Sequence, residues 1–233
     1  MTNEITDKDL GKIIFIRNNR AKRIIARKKS DHISVTIPSN YTIQKAALVL
    51  EELKPRLLKL KSKPVFKFTE DTDFNTFSFR LLLNKNNQLN NYYASIKNQV
   101  LTITCPQATD FEREDTQVII RQIIEKALRN EAKRILPEKV KQIACSYGFT
   151  FLNVKINKSK TRWGSCSSRK SINLSYYCML LPEHLIDFII KHELCHTIEM
   201  NHSEKFWALL DKVSGNKAKL LTKELKTHST TVL

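Results

Sequence analysis

The chain has 233 residues, 41% hydrophobic and 27% charged, so it can bury an ordinary core and is neither fibrous nor globally disordered. Forty Lys and Arg against 23 Asp and Glu give a formal charge of +17, and no run of about 18 uncharged apolar residues is present to cross a membrane. Five cysteines without a C-x-x-C pair, and an opening MTNEITDKDLGK without an apolar signal core, point to reduced thiols in a cytoplasmic protein.

In chain order, KIIFIR (12–17), KRIIARK (22–28) and the alternating HISVTI (32–37) predict three strands of a small antiparallel sheet. Residues 42–62 switch to helical spacing through Ile43, Ala46, Ala47, Leu50, Leu53, Leu57 and Leu58, with a kink or break near Pro55. Strands follow at 65–69, 76–83, 91–97 and 99–104, the last two joined by a tight turn at Lys97-Asn98. From Thr116 to about Leu136 an apolar face predicts a long helix. Pro137 is placed to open a second one, and Gly148 to end it. Strands at 152–157 and 171–176 flank the loop TRWGSCSSRKS, and helices at 182–200 and 203–214 precede a basic, solvated tail. No internal repeat is visible. A boundary is expected at 105–115, where Cys105-Pro106 closes the strand-rich part.

The basic excess sits toward the two ends: residues 1–64 carry 15 basic and 6 acidic groups, and 151–233 carry 13 and 7. Such a surface attracts polyanions, which makes nucleic acid a candidate partner.

The segment HELCH carries the chemistry. His192 and His196, four residues apart on a helix, share one face and can reach one metal ion. Glu193 lies about 100° round the same helix, too far to compete as a ligand and near enough to take a proton from a zinc-bound water. Zinc suits imidazole ligands and lowers the pKa of bound water toward about 7. The third ligand is expected at His202. Glu199 shares the helical face, but its Cα would lie about 10 Å along the axis from that of His192, so the helix must end before a third side chain can converge. Asn201 is a candidate left-handed stop, and Ser203 with Glu204 a cap for the next helix. Phe206 and Trp207 read as core anchors of that last helix. Arg162, Tyr176 or backbone amides remain open as oxyanion donors.

HELCHTIEMNHSEKFW, preceded by TRWGSCSSRKSINLS, resembles the YgjP-like metal-dependent hydrolases, relatives of the SprT-type zinc metallopeptidases. The likeness covers residues 111–214 and extends to the basic opening; residues 65–105 fit more loosely. It implies that His192, His196 and His202 hold Zn2+, that Glu193 is the catalytic base, and that the substrate is a peptide or protein. It also marks Arg162, Trp163 and Gly164, with the following strand through Asn173, as a segment that can receive an extended peptide by edge pairing. The expected architecture is α+β, with a basic, antiparallel β-rich region over residues 1–110 and a zincin-like metallopeptidase domain over 111–233. Two other classes stay open: a basic nucleic-acid-binding module with structural or vestigial zinc, and a non-peptide zinc hydrolase.

Overall fold

The computed structural model describes residues 3–28, 32–59 and 66–229; residues 60–62 of the expected first helix and Val65 of the expected strand lie outside them. Two compact units divide the chain, Met1–Val65 and Phe66–Leu233. The architecture is a mixed α+β one with three small sheets. No described helix is long and apolar enough to cross a membrane.

In the first unit, β1 (Asn3–Asp7), β2 (Gly11–Arg17), β3 (Ile25–Lys28) and β4 (Ile33–Ile37) form one sheet in the order β1-β2-β4-β3. The expected all-antiparallel pairing fails at its centre, where β2 and β4 run parallel. The two most apolar strands take the middle and turn Ile13, Phe15, Ile33, Val35 and Ile37 toward Ala46, Leu50 and Leu57 of α1 (Ile43–Lys59). The more polar β3, with Arg27 and Lys28, is left at an edge, where charge discourages pairing with another chain. Pro55 does not break α1. It is exposed, so the carbonyl it deprives of a partner can meet water.

Lys54 of α1 bonds both Asp7 and Asp9 at 2.9 Å. The Leu10 N–H, then Lys54 and the Asp9 N–H, hold the Asp7 carboxyl down from 3.8 to about 2. A carboxylate depressed in the folded state stabilises above its unfolded pKa and loses that contribution as pH falls through the folded one. The unit should therefore lose stability between about pH 4 and pH 2. An Asp7→Asn variant followed by circular dichroism should show a shallower acid dependence over that window.

In the second unit, β5 (Arg80–Asn86), β6 (Tyr93–Lys97) and β7 (Val100–Pro106) pair in the order β5-β7-β6, parallel then antiparallel. The β6–β7 turn is Asn98-Gln99, both at positive φ, one residue later than expected and as a two-residue hairpin of this twist requires. The described residues of the expected strand at 65–69 form none. Instead, the buried amide of Gln117 accepts from the Phe68 N–H and donates to the carbonyls of Phe68 and Phe111. A side chain thus satisfies the backbone that a neighbouring strand would have paired.

The two helices expected across Pro137 are one, α2 (Glu114–Tyr147). Ile120, Ile124, Leu128, Ala132, Leu136, Val140 and Ala144 recur every four residues and are buried on both sides of the proline. Burying that stripe as one surface, at about 1.5–3 kcal/mol per large side chain, outweighs the roughly 3 kcal/mol of an interior proline. Gly148 ends α2 at φ 71°, as expected. The expected boundary at 105–115 falls inside this unit, where β5, β7 and α2 share one hydrophobic cluster with the elements that follow.

Next come β8 (Asn153–Asn157), β9 (Gly164–Cys166) and β10 (Ser171–Ser175), a 3-10 turn at Tyr176–Leu180, then α3 (Glu183–Cys195), α4 (Glu204–Val213) and α5 (Ala218–Leu225). β9 is a short strand inside the segment expected to be loop, and α5 lies in the tail expected to be solvated. The order β8-β10-β9, parallel then antiparallel, repeats that of β5-β7-β6 and of β2-β4-β3. Three times the chain lays down a strand, turns through a hairpin, inserts the third strand between the other two, and leaves on a helix. Within this motif the second strand always ends at a sheet edge.

Candidate active site

The last of these motifs builds the site. α3 is buried on several faces through Leu185, Ile186, Phe188, Ile189, Ile190 and Leu194, which fixes its rotation and brings His192, Glu193 and His196 to one side. The helix stops earlier than expected, at Cys195, with His196 as its C-terminal cap. Asn201 is not in the left-handed region. Local bonds make the reversal instead: Thr197 Oγ1 donates to the Leu194 carbonyl at 2.7 Å, and His196 Nδ1 lies 3.0 Å from the Glu199 carbonyl. Ser203 then caps α4, its hydroxyl accepting from the Phe206 N–H, as its position promised.

This reversal returns His202 to the helix. His196 Nε2 stands 3.2 Å and His202 Nε2 3.1 Å from His192 Nε2, and the three donor atoms lie within 4.8 Å of one another. Nitrogens bound tetrahedrally at about 2.0–2.1 Å to one ion sit about 3.3 Å apart, so the observed edges are those of a metal-sized triangle. The Glu199 carbonyl takes the only proton of a neutral His196 ring at Nδ1, which leaves Nε2 a bare lone pair aimed at its neighbours. Burial first, then His196 and His202, push the His192 imidazole down to about 4, and burial lowers His196 as well, so these rings stay neutral donors. The residues fit a divalent metal. Cys166 and Cys178 stand outside the cluster, donating to the Ser167 and Trp163 carbonyls.

Glu193 is 6% exposed, and burial pushes its carboxyl up to about 8, partly opposed by the Arg162 guanidinium. Its Oε2 is buried without a hydrogen-bond partner among the described residues. Such a carboxylate is costly unless something else meets it. β9 passes directly over it: a Cβ added at Gly164 would lie 2.6 Å from Glu193 Oε1 and 2.7 Å from Cγ. Here glycine is required for close approach rather than for its dihedral freedom. Gly164→Ala should displace the carboxylate and lower kcat about 10²-fold, while metal content by elemental analysis stays at the wild-type level.

Of the residues expected to bind substrate, Arg162, Trp163 and Gly164 line one cavity together with His192 and Glu193. Asn173 sits on the central strand β10, opposite Ser165, and is not among the lining residues. The Tyr176 hydroxyl donates to Tyr177, whose own hydroxyl donates to Glu125 of α2, which commits both to the core.

Phe206 is the residue whose role sequence reasoning understated. It is fully buried, stacks on His196 at 4.5 Å and 24°, and meets His192 and His202 edge-on at 5.0 and 4.7 Å. Its place in the first turn of the helix that Ser203 caps, four residues after His202, was the available signal. Phe206→Leu should weaken metal binding about 10–100-fold, the range of a lost outer partner, in a chelator competition, with the helical signal unchanged.

The family described as YgjP-like, metallopeptidase domain, matches residues 22–228. No curated protein matches the chain. Among solved structures, the metallopeptidase zymogen abylysin of Pyrococcus abyssi is 24% identical at a TM-score of 0.37, over 40% of this chain and 93% of that one. The metallopeptidase zymogen jannalysin of Methanocaldococcus jannaschii is 26% identical at 0.36, over 40% and 94%.

Proposed function

Since the chain belongs to the YgjP-like metallopeptidase family, we propose that it hydrolyses peptide bonds with Zn2+ held by His192, His196 and His202 and with Glu193 as general base. The observation that carries this reading is the triangle of Nε2 atoms together with the buried Glu193 carboxyl, whose Oε2 has no hydrogen-bond partner among the described residues. When bound, zinc supplies Lewis acidity and makes water acidic near neutral pH. Glu193 takes a proton from the attacking water and returns it to the leaving amine, so the carboxyl ends each turnover ionised. A carboxyl pushed upward by burial suits both transfers.

The outer edge of β9, unpaired among the described residues, is the surface on which we place the peptide backbone, aligned by strand addition over Glu193. Arg162 is the candidate partner for the peptide carbonyl. On this reading, residues 111–233 form the zincin-like catalytic part, and the sheet of β5–β7 supports α2. A second reading concerns the first unit: Arg17–Lys28 carries six basic side chains and no acidic one, which supports association with nucleic acid.

The full chain, loaded with zinc, should cleave casein-like proteins and peptides and leave nucleic acids and simple amides intact in parallel assays. Nucleic-acid cleavage with intact peptides would contradict the proposal. Nucleic-acid association should fall steeply with salt and persist in Glu193→Gln.

A further inference from the structure

Next to Glu193 and His192, on the side of α3 that β9 crosses, lies a cavity of about 250 Å³. Whole-ligand pockets begin at about 300 Å³, so this one has room for a single large side chain and little more. Apart from the two catalytic-site residues and Gly164, its walls are Trp163, Phe188, Ile189 and Leu225, with Arg162 at its margin. Phe188 and Ile189 are buried residues of α3.

We propose that this cavity selects the substrate: the peptide bond cleaved is one flanked by a large apolar residue, whose side chain fills the space between Trp163, Phe188, Ile189 and Leu225. The inference rests on the peptidase reading above and extends it to specificity. Position supports it first. Because His192 and Glu193 themselves line the cavity, a side chain held there belongs to a residue adjoining the bond under attack. Chemistry supports it second. An acidic side chain would enter beside the Glu193 carboxylate, and a small one would leave apolar walls wet. Arg162 is exposed and lines the same cavity, its guanidinium acting on Glu193 across it, which places a donor there for the backbone carbonyl of the inserted residue.

One wall comes from α5. Leu225 belongs to this last helix, and its neighbour Glu224 bonds His184 Nε2 of α3 at 2.7 Å, which fastens the wall to the helix that carries the histidines. The basic tail is therefore part of the specificity device.

The test uses zinc-loaded full chain and peptides that differ only at the residues on either side of one scissile bond. On one side, Phe or Leu should exceed Gly or Asp in kcat/KM on the order of 10²-fold. Leu225→Trp, which fills the cavity, should abolish that preference, and Leu225→Ala should move it toward Trp, both with wild-type metal content. Displacement of the thermal transition by phenylalanine hydroxamate against glycine hydroxamate gives a readout without turnover, and the phenylalanine compound should bind more tightly. Peptide cleavage without side-chain preference, together with equal binding of the two hydroxamates, would overturn the pocket while leaving the peptidase standing. No cleavage with preferential binding of the phenylalanine compound would remove the peptidase reading and keep the pocket. Equal binding with no cleavage would remove both, and a preference unchanged in Leu225→Trp would overturn the assignment of the wall.

Discussion

Glu193→Gln should lower kcat for peptide hydrolysis about 10²–10⁴-fold and leave metal content unchanged. The amide has nearly the shape of the carboxylate, so the crossing of β9 above it at Gly164 persists, and the three imidazoles keep their places. What it removes is the proton acceptor. KM should change little, because Glu193 acts on the water and not on the bound peptide. The split between a fallen kcat and a steady KM, measured on one fluorogenic peptide, separates a base from a binding residue. A variant with wild-type kcat would place the base elsewhere.

His202→Ala should release the metal. Two histidines four residues apart can hold an ion weakly, but the closed triangle depends on the ring that the reversal at 196–202 brings back to His192. Losing an outer partner costs metal affinity about 10–100-fold, and losing a ligand should cost more. Activity should fall in step with metal occupancy and recover in part at high added zinc. His184→Ala is the matching control: its ring pairs with Glu224 on the surface of α3, and its loss should leave metal content intact. Unchanged occupancy in His202→Ala would move the third ligand to another side chain.

The site was more legible than the fold, for physical reasons. His192, Glu193 and His196 are fixed relative to one another by helical geometry alone, which the five residues of HELCH specify. His202 required only that the helix end in time. The place where it ends depends on bonds from Thr197 and His196 that hydrophobic periodicity does not encode, and so α3 stops at Cys195 rather than near residue 200. Pro137 and Pro55 misled because proline reports a local cost, whereas the stripe from Ile120 to Ala144 and the exposure of Pro55 decide whether that cost is met. Strand order was hidden altogether. All three sheets contain a parallel pair made by inserting the last strand between the two before it, and alternation within a strand carries no information about which neighbour it takes. α5 had a readable pattern in Ala218, Leu221 and Leu225, but its many lysines gave it the look of a solvated end.

X-ray absorption on the zinc-loaded chain tests the central claim most directly. Three histidine nitrogens at about 2.0–2.1 Å with one further light scatterer, and no sulfur near 2.3 Å, are predicted. A sulfur shell from Cys166 or Cys178, or a metal closed by four protein ligands, would contradict the account.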